Sequence, residues 1–172
     1  MSALVIVIAI VAVLVIAGGA WYVMSSPSPS ISSGTYYIIG YNANDGAEWY
    51  VGSDATDQKI RVPYGGVGNA NSKWKVIVLN DGTFTVQNEA NSKYIAAGTV
   101  SAPGYVHMVM SATAQPFKVH KSVSKGLVIK YMVDTKPKFW HTGGGTLQGA
   151  DTETSGPGAN GELRQAYRFV KV

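Results

Sequence analysis

The chain has 172 residues, a formal charge of +4 from 14 Lys+Arg against 10 Asp+Glu, and no cysteine. That length gives room for one domain plus an appendage, and a domain of this size buries its own core unaided. The missing cysteines exclude disulfides, thiolate nucleophiles and Cys-ligated zinc, and scattered basic residues argue against a nucleic-acid footprint.

Residues 3–24 read ALVIVIAIVAVLVIAGGAWYVM, without a charge, a Ser or a Thr. As a helix rising about 1.5 Å per residue this segment spans roughly 33 Å, enough to cross a hydrocarbon core of about 30 Å. A single segment in lipid satisfies its backbone only as a helix. Trp21 and Tyr22 stand at its end, where amphipathic rings favour the headgroup layer. A cleaved signal peptide is the competing reading, with small Gly18 and Ala20 before the cut. The apolar run exceeds the usual h-region, however, and no positive n-region precedes it. The expectation is a single-pass membrane protein with residues 1–24 as its transmembrane anchor and the bilayer as partner of residues 3–24. The side faced by the rest stays open, because the first basic residue is as distant as Lys59. Residues 25–33, SSPSPSISS, suit a short extended stalk.

From Gly34 onward apolar residues follow a two-residue period, broken by Gly, Asn, Asp and Pro. The predicted strands are 36–41, 48–52, 59–63, 73–79, 83–88, 93–97, 105–110, 117–121, 127–132, 139–142, 146–149 and 167–172. They fall into three groups of four, about 34–81, 82–125 and 126–172. Each group opens on a glycine and a β run: Gly34-Thr35-Tyr36, Gly82-Thr83-Phe84 and Gly126-Leu127-Val128. Each carries an aromatic-containing second strand, at Trp49-Tyr50-Val51, Lys93-Tyr94-Ile95 and Phe139-Trp140-His141. Each closes on an aromatic followed by a basic residue, at Trp74-Lys75, Phe117-Lys118 and Tyr167-Arg168. Three such units around a pseudo-three-fold axis close a barrel and remove exposed edges. Trp74, Phe117 and Tyr167 are expected to meet as one core layer, and Tyr50 and Tyr94 to be core residues too.

This layout resembles a β-trefoil of the ricin B-type lectin kind. The resemblance rests on Phe84-Thr85-Val86-Gln87-Asn88 followed by Asn91-Ser92-Lys93-Tyr94-Ile95, and on Gln115-Pro116-Phe117 and Gln165-Ala166-Tyr167, which are similar to a Q-x-W signature with the Trp replaced. Ser72-Lys73-Trp74 keeps the Trp without the Gln. It covers residues 34–172, and mycocypin and Kunitz-like trefoil inhibitors and fascins are similar in layout. The implied fold class is all-β, a β-trefoil preceded by one transmembrane α-helix. The resemblance also implies sugar recognition by an Asp directly after the second-strand pair, where Gly52, Ala96 and Thr142 are the expected matches. The Asp is absent in all three repeats.

Repeat one keeps other polar groups of the type that sugar recognition uses: Asp54 as acceptor, Tyr64 as stacking face, and Asn69 or Asn71 as amide. Trp140 and His141 form a second ligand-binding candidate, weighed against Trp140 being core. Loops 64–72 and 149–165 exceed what hairpin closure needs. No catalytic residue, metal ligand set or cofactor motif stands out. His107, His120 and His141 lie on separate predicted strands, no G-x-S-x-G elbow occurs, and Gly143-Gly144-Gly145-Thr146 lacks the Lys of a phosphate loop. The expected function is a non-catalytic, membrane-tethered recognition module binding glycan or protein through its trefoil loops, with no nucleic acid partner and no cofactor. The alternatives are a structural component of a membrane-containing assembly, with neighbours in a virion or a multi-subunit complex, and a trefoil protease inhibitor.

Overall fold

Strands with one apolar face need a second surface against which to bury it. In the computed structural model, which describes residues 30–54, 58–102, 105–153 and 163–172, closure of the sheet on itself provides that surface. The strands are β1 (Gly34–Tyr41), β2 (Glu48–Tyr50), β3 (Gly52–Ser53), β4 (Ile60–Arg61), β5 (Lys73–Val78), β6 (Phe84–Asn88) and β7 (Tyr94–Ala102). They continue as β8 (Tyr105–Ser111), β9 (Lys118–Val123), β10 (Gly126–Val133), β11 (Lys136–Gly143), β12 (Thr146–Ala150) and β13 (Arg168–Lys171). A 3₁₀ turn, Ala70–Ser72, leads into β5.

Opening and closing strands alternate around a closed ring. Within the repeats the pairs are Tyr36↔Trp74, Phe84↔Phe117 and Leu127↔Tyr167. Between repeats they are Val76↔Val86, Val119↔Ile129 and Phe169↔Ile38. Each set is one position repeated three times, so the barrel is three-fold at the level of register. Leu127, one residue after its glycine, matches Tyr36 and Phe84, which stand two after theirs.

The hairpins make the cap with the same symmetry. Lys59 pairs with Val109, His107 with Gln148, and Thr146 with Arg61, so β4, β8 and β12 join in a triangle. Ile60, Met108 and Leu147 are the equivalent residues between those partners, and all three are fully buried in the core. Trp74, Phe117 and Tyr167 are fully buried in the same core. Trp140 stands between two of them, 5.0 Å from Phe117 and 5.4 Å from Tyr167 by ring centroids. The Trp74 indole N–H donates to the Val51 carbonyl at 2.8 Å, joining the closing strand of repeat one to its hairpin.

The chain shows an all-β, β-trefoil architecture with a three-fold frame. Several details differ from expectation. The strand expected at 48–52 is split at Val51, and 59–63 shortens to β4 because Val62 turns to the hairpin of repeat three, its N–H donating to the Gly145 carbonyl at 3.0 Å. Tyr50 and Tyr94 are half-buried rather than core, since their neighbours Val51 and Ile95 hold the fully buried positions equivalent to Trp140. The expected stalk ends early: Ile31 packs against the core and the Ser33 hydroxyl accepts the Val78 N–H at 2.9 Å. The expected anchor, with Trp21 and Tyr22, lies outside the described residues. No helix among the described residues is long and apolar enough to cross a membrane.

Trp74→Ala removes a fully buried indole and its hydrogen bond, so we predict a loss of about 3–5 kcal/mol in urea melts; a loss below about 1 kcal/mol contradicts the core assignment.

Candidate functional site

The cap register identifies the residue that follows the buried hairpin position in each repeat. It is Gly52 opposite Arg61, Ala96 opposite Val109, and His141 opposite Gln148. Thr142, expected at this place, lies one residue further on and points inward, 3.0 Å from the Tyr167 hydroxyl. None of the three equivalent residues is acidic.

In repeat one that position is filled from outside. A Cβ on Gly52 collides with the Cβ and ring of Tyr64, so the tyrosine occupies the space a side chain there needs. Tyr64 is thereby a packing residue, with its N–H donating to the Tyr50 carbonyl and its carbonyl accepting the Ser72 hydroxyl. The other predicted groups are engaged locally. Asp54 lies 3.4 Å from the Arg61 Nε. The Asn69 side chain caps the 3₁₀ turn by accepting the Asn71 N–H at 2.9 Å, and the Asn71 carbonyl accepts the Asn88 amide. The structure brings these four residues into one repeat, apart from the groove described below.

In repeat three, Trp140 is fully buried and His141 is 4% exposed, which corrects their placement as a ligand-facing pair. His141, Gln148 and His107 form a row across β11, β12 and β8, with the Tyr105 ring 5.4 Å from the His141 ring. Burial, with the nearby Arg164 charge, pushes the His141 pKa down to about 4. The imidazole is therefore neutral at physiological pH, and among the described residues its Nδ1 has no hydrogen-bond partner.

An open groove lies between the β1–β2 turn and the β11–β12 turn. Its volume is about 160 Å³. Residues 42–44 form one wall, in a turn held by the Asn42 N–H on the Ala47 carbonyl and the Asn44 N–H on the Asn42 side chain. Half-buried Trp49 stands on β2 opposite Gly40, packs against the core and also lines the groove. The other wall is bare backbone: Gly144 and Gly145 have φ of 57° and 74°, the two left-handed positions of a two-residue hairpin turn. Arg164 completes the lining. Behind the lining residues Thr142 and Arg164, the fully buried Tyr167 hydroxyl is bonded with Thr142 and donates to the Arg164 carbonyl at 3.4 Å. An aromatic face, amide groups, exposed backbone and a guanidinium together suit a polar ligand with one apolar face.

Asn42, Asn44, Trp49 and Arg164 are missing from the residues predicted from sequence. A trace of them is there nonetheless: the opening hairpin has a six-residue connection at 42–47 in repeat one, against Asp134-Thr135 alone in repeat three. Their meeting with Arg164, over a hundred residues away, depends on closure of the ring.

No family model matches the chain, and no curated protein matches it. Solved structures do. An agglutinin of Rhizoctonia solani aligns with a TM-score of 0.61 at 19% identity, over 85% of this chain and 100% of that one. A ricin B-like lectin of Macrolepiota procera, solved in complex with lactose, gives 0.60 at 16% identity, over 84% and 100%. The designed three-fold symmetric protein ThreeFoil gives 0.57 at 14%, over 80% and 99%. At these identities the likeness shows the β-trefoil fold.

Two outcomes follow from the site geometry. Gly52→Asp is expected to cost about 1–3 kcal/mol in denaturant melts through overpacking, with most of the loss recovered when Tyr64→Ala is added. Keeping His141 neutral contributes stability above about pH 6.5 that is lost as pH falls from there toward 4. His141→Gln should therefore flatten the fall of the urea midpoint across that window.

Proposed function

We propose that this trefoil is a non-catalytic glycan-recognition module, held at a membrane by its apolar N-terminal segment, and that it binds through the groove between the β1–β2 and β11–β12 turns. The observation that carries the proposal is the groove itself: half-buried Trp49 beside the Asn42 and Asn44 turn, opposite a glycine-only wall. A sugar ring presents an apolar face to an indole and hydroxyls to amides and backbone groups. The absence of side chains at 143–145 lets a ring approach the backbone closely.

The fold supports the choice of ligand class without dictating it. Two of the similar structures are an agglutinin and a lectin solved with lactose. In this chain the Asp that the family resemblance leads one to expect is replaced by Gly52, Ala96 and His141, so binding moves to another place on the same scaffold. Tethering rests on the sequence of residues 3–24, which suits a transmembrane helix. A recognition domain on such an anchor gains by multivalency, since several copies in one membrane engage several sugars of one surface.

The test is a glycan array probed with the full chain in a non-glycosidic detergent. A set of saccharides is expected to bind, to be competed by the free sugar, and to bind at least about tenfold more weakly to Trp49→Ala, as loss of one stacking contact implies. A flat array from a protein whose near-ultraviolet circular dichroism is native overturns the proposal.

A further inference from the structure

Resting on the glycan-binding proposal, we infer that the groove selects saccharides carrying a carboxylate, such as sialic or uronic acids, through Arg164. Arg164 is exposed at the groove, and among the described residues no carboxylate pairs with it. The acids nearest in sequence to the facing turn are committed elsewhere. Asp45 accepts the Ala47 N–H at 2.9 Å, and Glu48 takes both its oxygens to Arg168 at 2.6 Å. Among the described residues no acidic side chain lines the groove, and the charged group that does is the Arg164 cation.

The setting preserves that cation for a ligand. His141, whose titration responds to Arg164, is neutral at physiological pH and adds no second positive charge. The Arg164 backbone is fixed from below by the Tyr167 hydroxyl, and the next residue, Gln165, is buried with its side-chain amide donating to the Thr152 carbonyl at 2.9 Å. A guanidinium on a fixed backbone offers two parallel N–H donors, which match the two oxygens of a carboxylate. Asn42, Asn44 and Trp49 then meet the neutral parts of the same sugar.

The test compares 3′-sialyllactose with lactose by isothermal titration of the full chain in non-glycosidic detergent, at low and high salt. The expected result is at least about tenfold tighter binding of the acidic sugar, narrowing as salt screens the pair. Arg164→Gln, which removes the charge at an exposed position outside any ion pair among the described residues, should bring the two sugars level, and Arg164→Lys should restore part of the preference. Equal binding of both sugars by the wild-type protein overturns the selectivity while leaving glycan binding in the groove intact. Preference for the acid that survives Arg164→Gln overturns the assignment to Arg164. Binding of neither sugar here, with a flat array above, removes both.

Discussion

Tyr167 ties the architecture to the groove. Its backbone exchanges two hydrogen bonds with Leu127, at 2.8 and 2.9 Å, and so closes the ring of barrel strands. Its ring lies edge-on to Trp140 in the core. Its hydroxyl, fully buried, reaches Thr142 on one hairpin and the Arg164 carbonyl on the chain leading into the last strand. Burial without a positive neighbour holds the phenol protonated by raising its pKa well above the ordinary tyrosine value. A buried hydroxyl needs partners, and the two it finds are the backing of the groove. At this point in the Q-x-W-like signature a tryptophan would close the barrel equally well but would carry no hydroxyl for that task.

Symmetry inside and asymmetry outside follow from different demands. The barrel pairs and the triangle of hairpins repeat the same register three times, because each repeat must contribute an equal share to one core. The residues just outside that frame are free to diverge. At a single equivalent position stand Gly52 under a tyrosine ring, a small Ala96, and a neutral, buried His141. The groove arises where two repeats with unlike turns meet: a six-residue connection from repeat one and a two-glycine turn from repeat three.

The fold was legible in the sequence to the extent that it is periodic. Alternation along 73–79, 83–88 and 105–110 located β5, β6 and β8 nearly to the residue, because strands of a closed barrel carry a strict inside and outside. Boundaries failed where tertiary bonds override local pattern, as at Val62, which leaves its own strand to bond Gly145. Face assignment failed by one residue at Tyr50 and Tyr94, since adjacent aromatic and aliphatic residues leave the alternation ambiguous and only the register shows that Val51 and Ile95 point inward. The groove was hardly legible at all. Trp49 reads as an ordinary strand aromatic and Arg164 as a solvated charge until the ring is closed. Conversely, Asp54, Tyr64, Asn69 and Asn71 have the composition of a site, yet the Asp54 carboxylate, the Asn69 side chain and the Tyr64 and Asn71 backbone carbonyls are engaged in local contacts of repeat one.

Localising the ligand tests this account most directly. In a ¹⁵N-labelled sample titrated with 3′-sialyllactose, the shifts should concentrate on the Trp49 indole, the Asn42 and Asn44 side-chain amides, and the backbone amides of Gly143, Gly144 and Gly145. Shifts gathered instead around Asp54, Tyr64, Asn69 and Asn71 would contradict it.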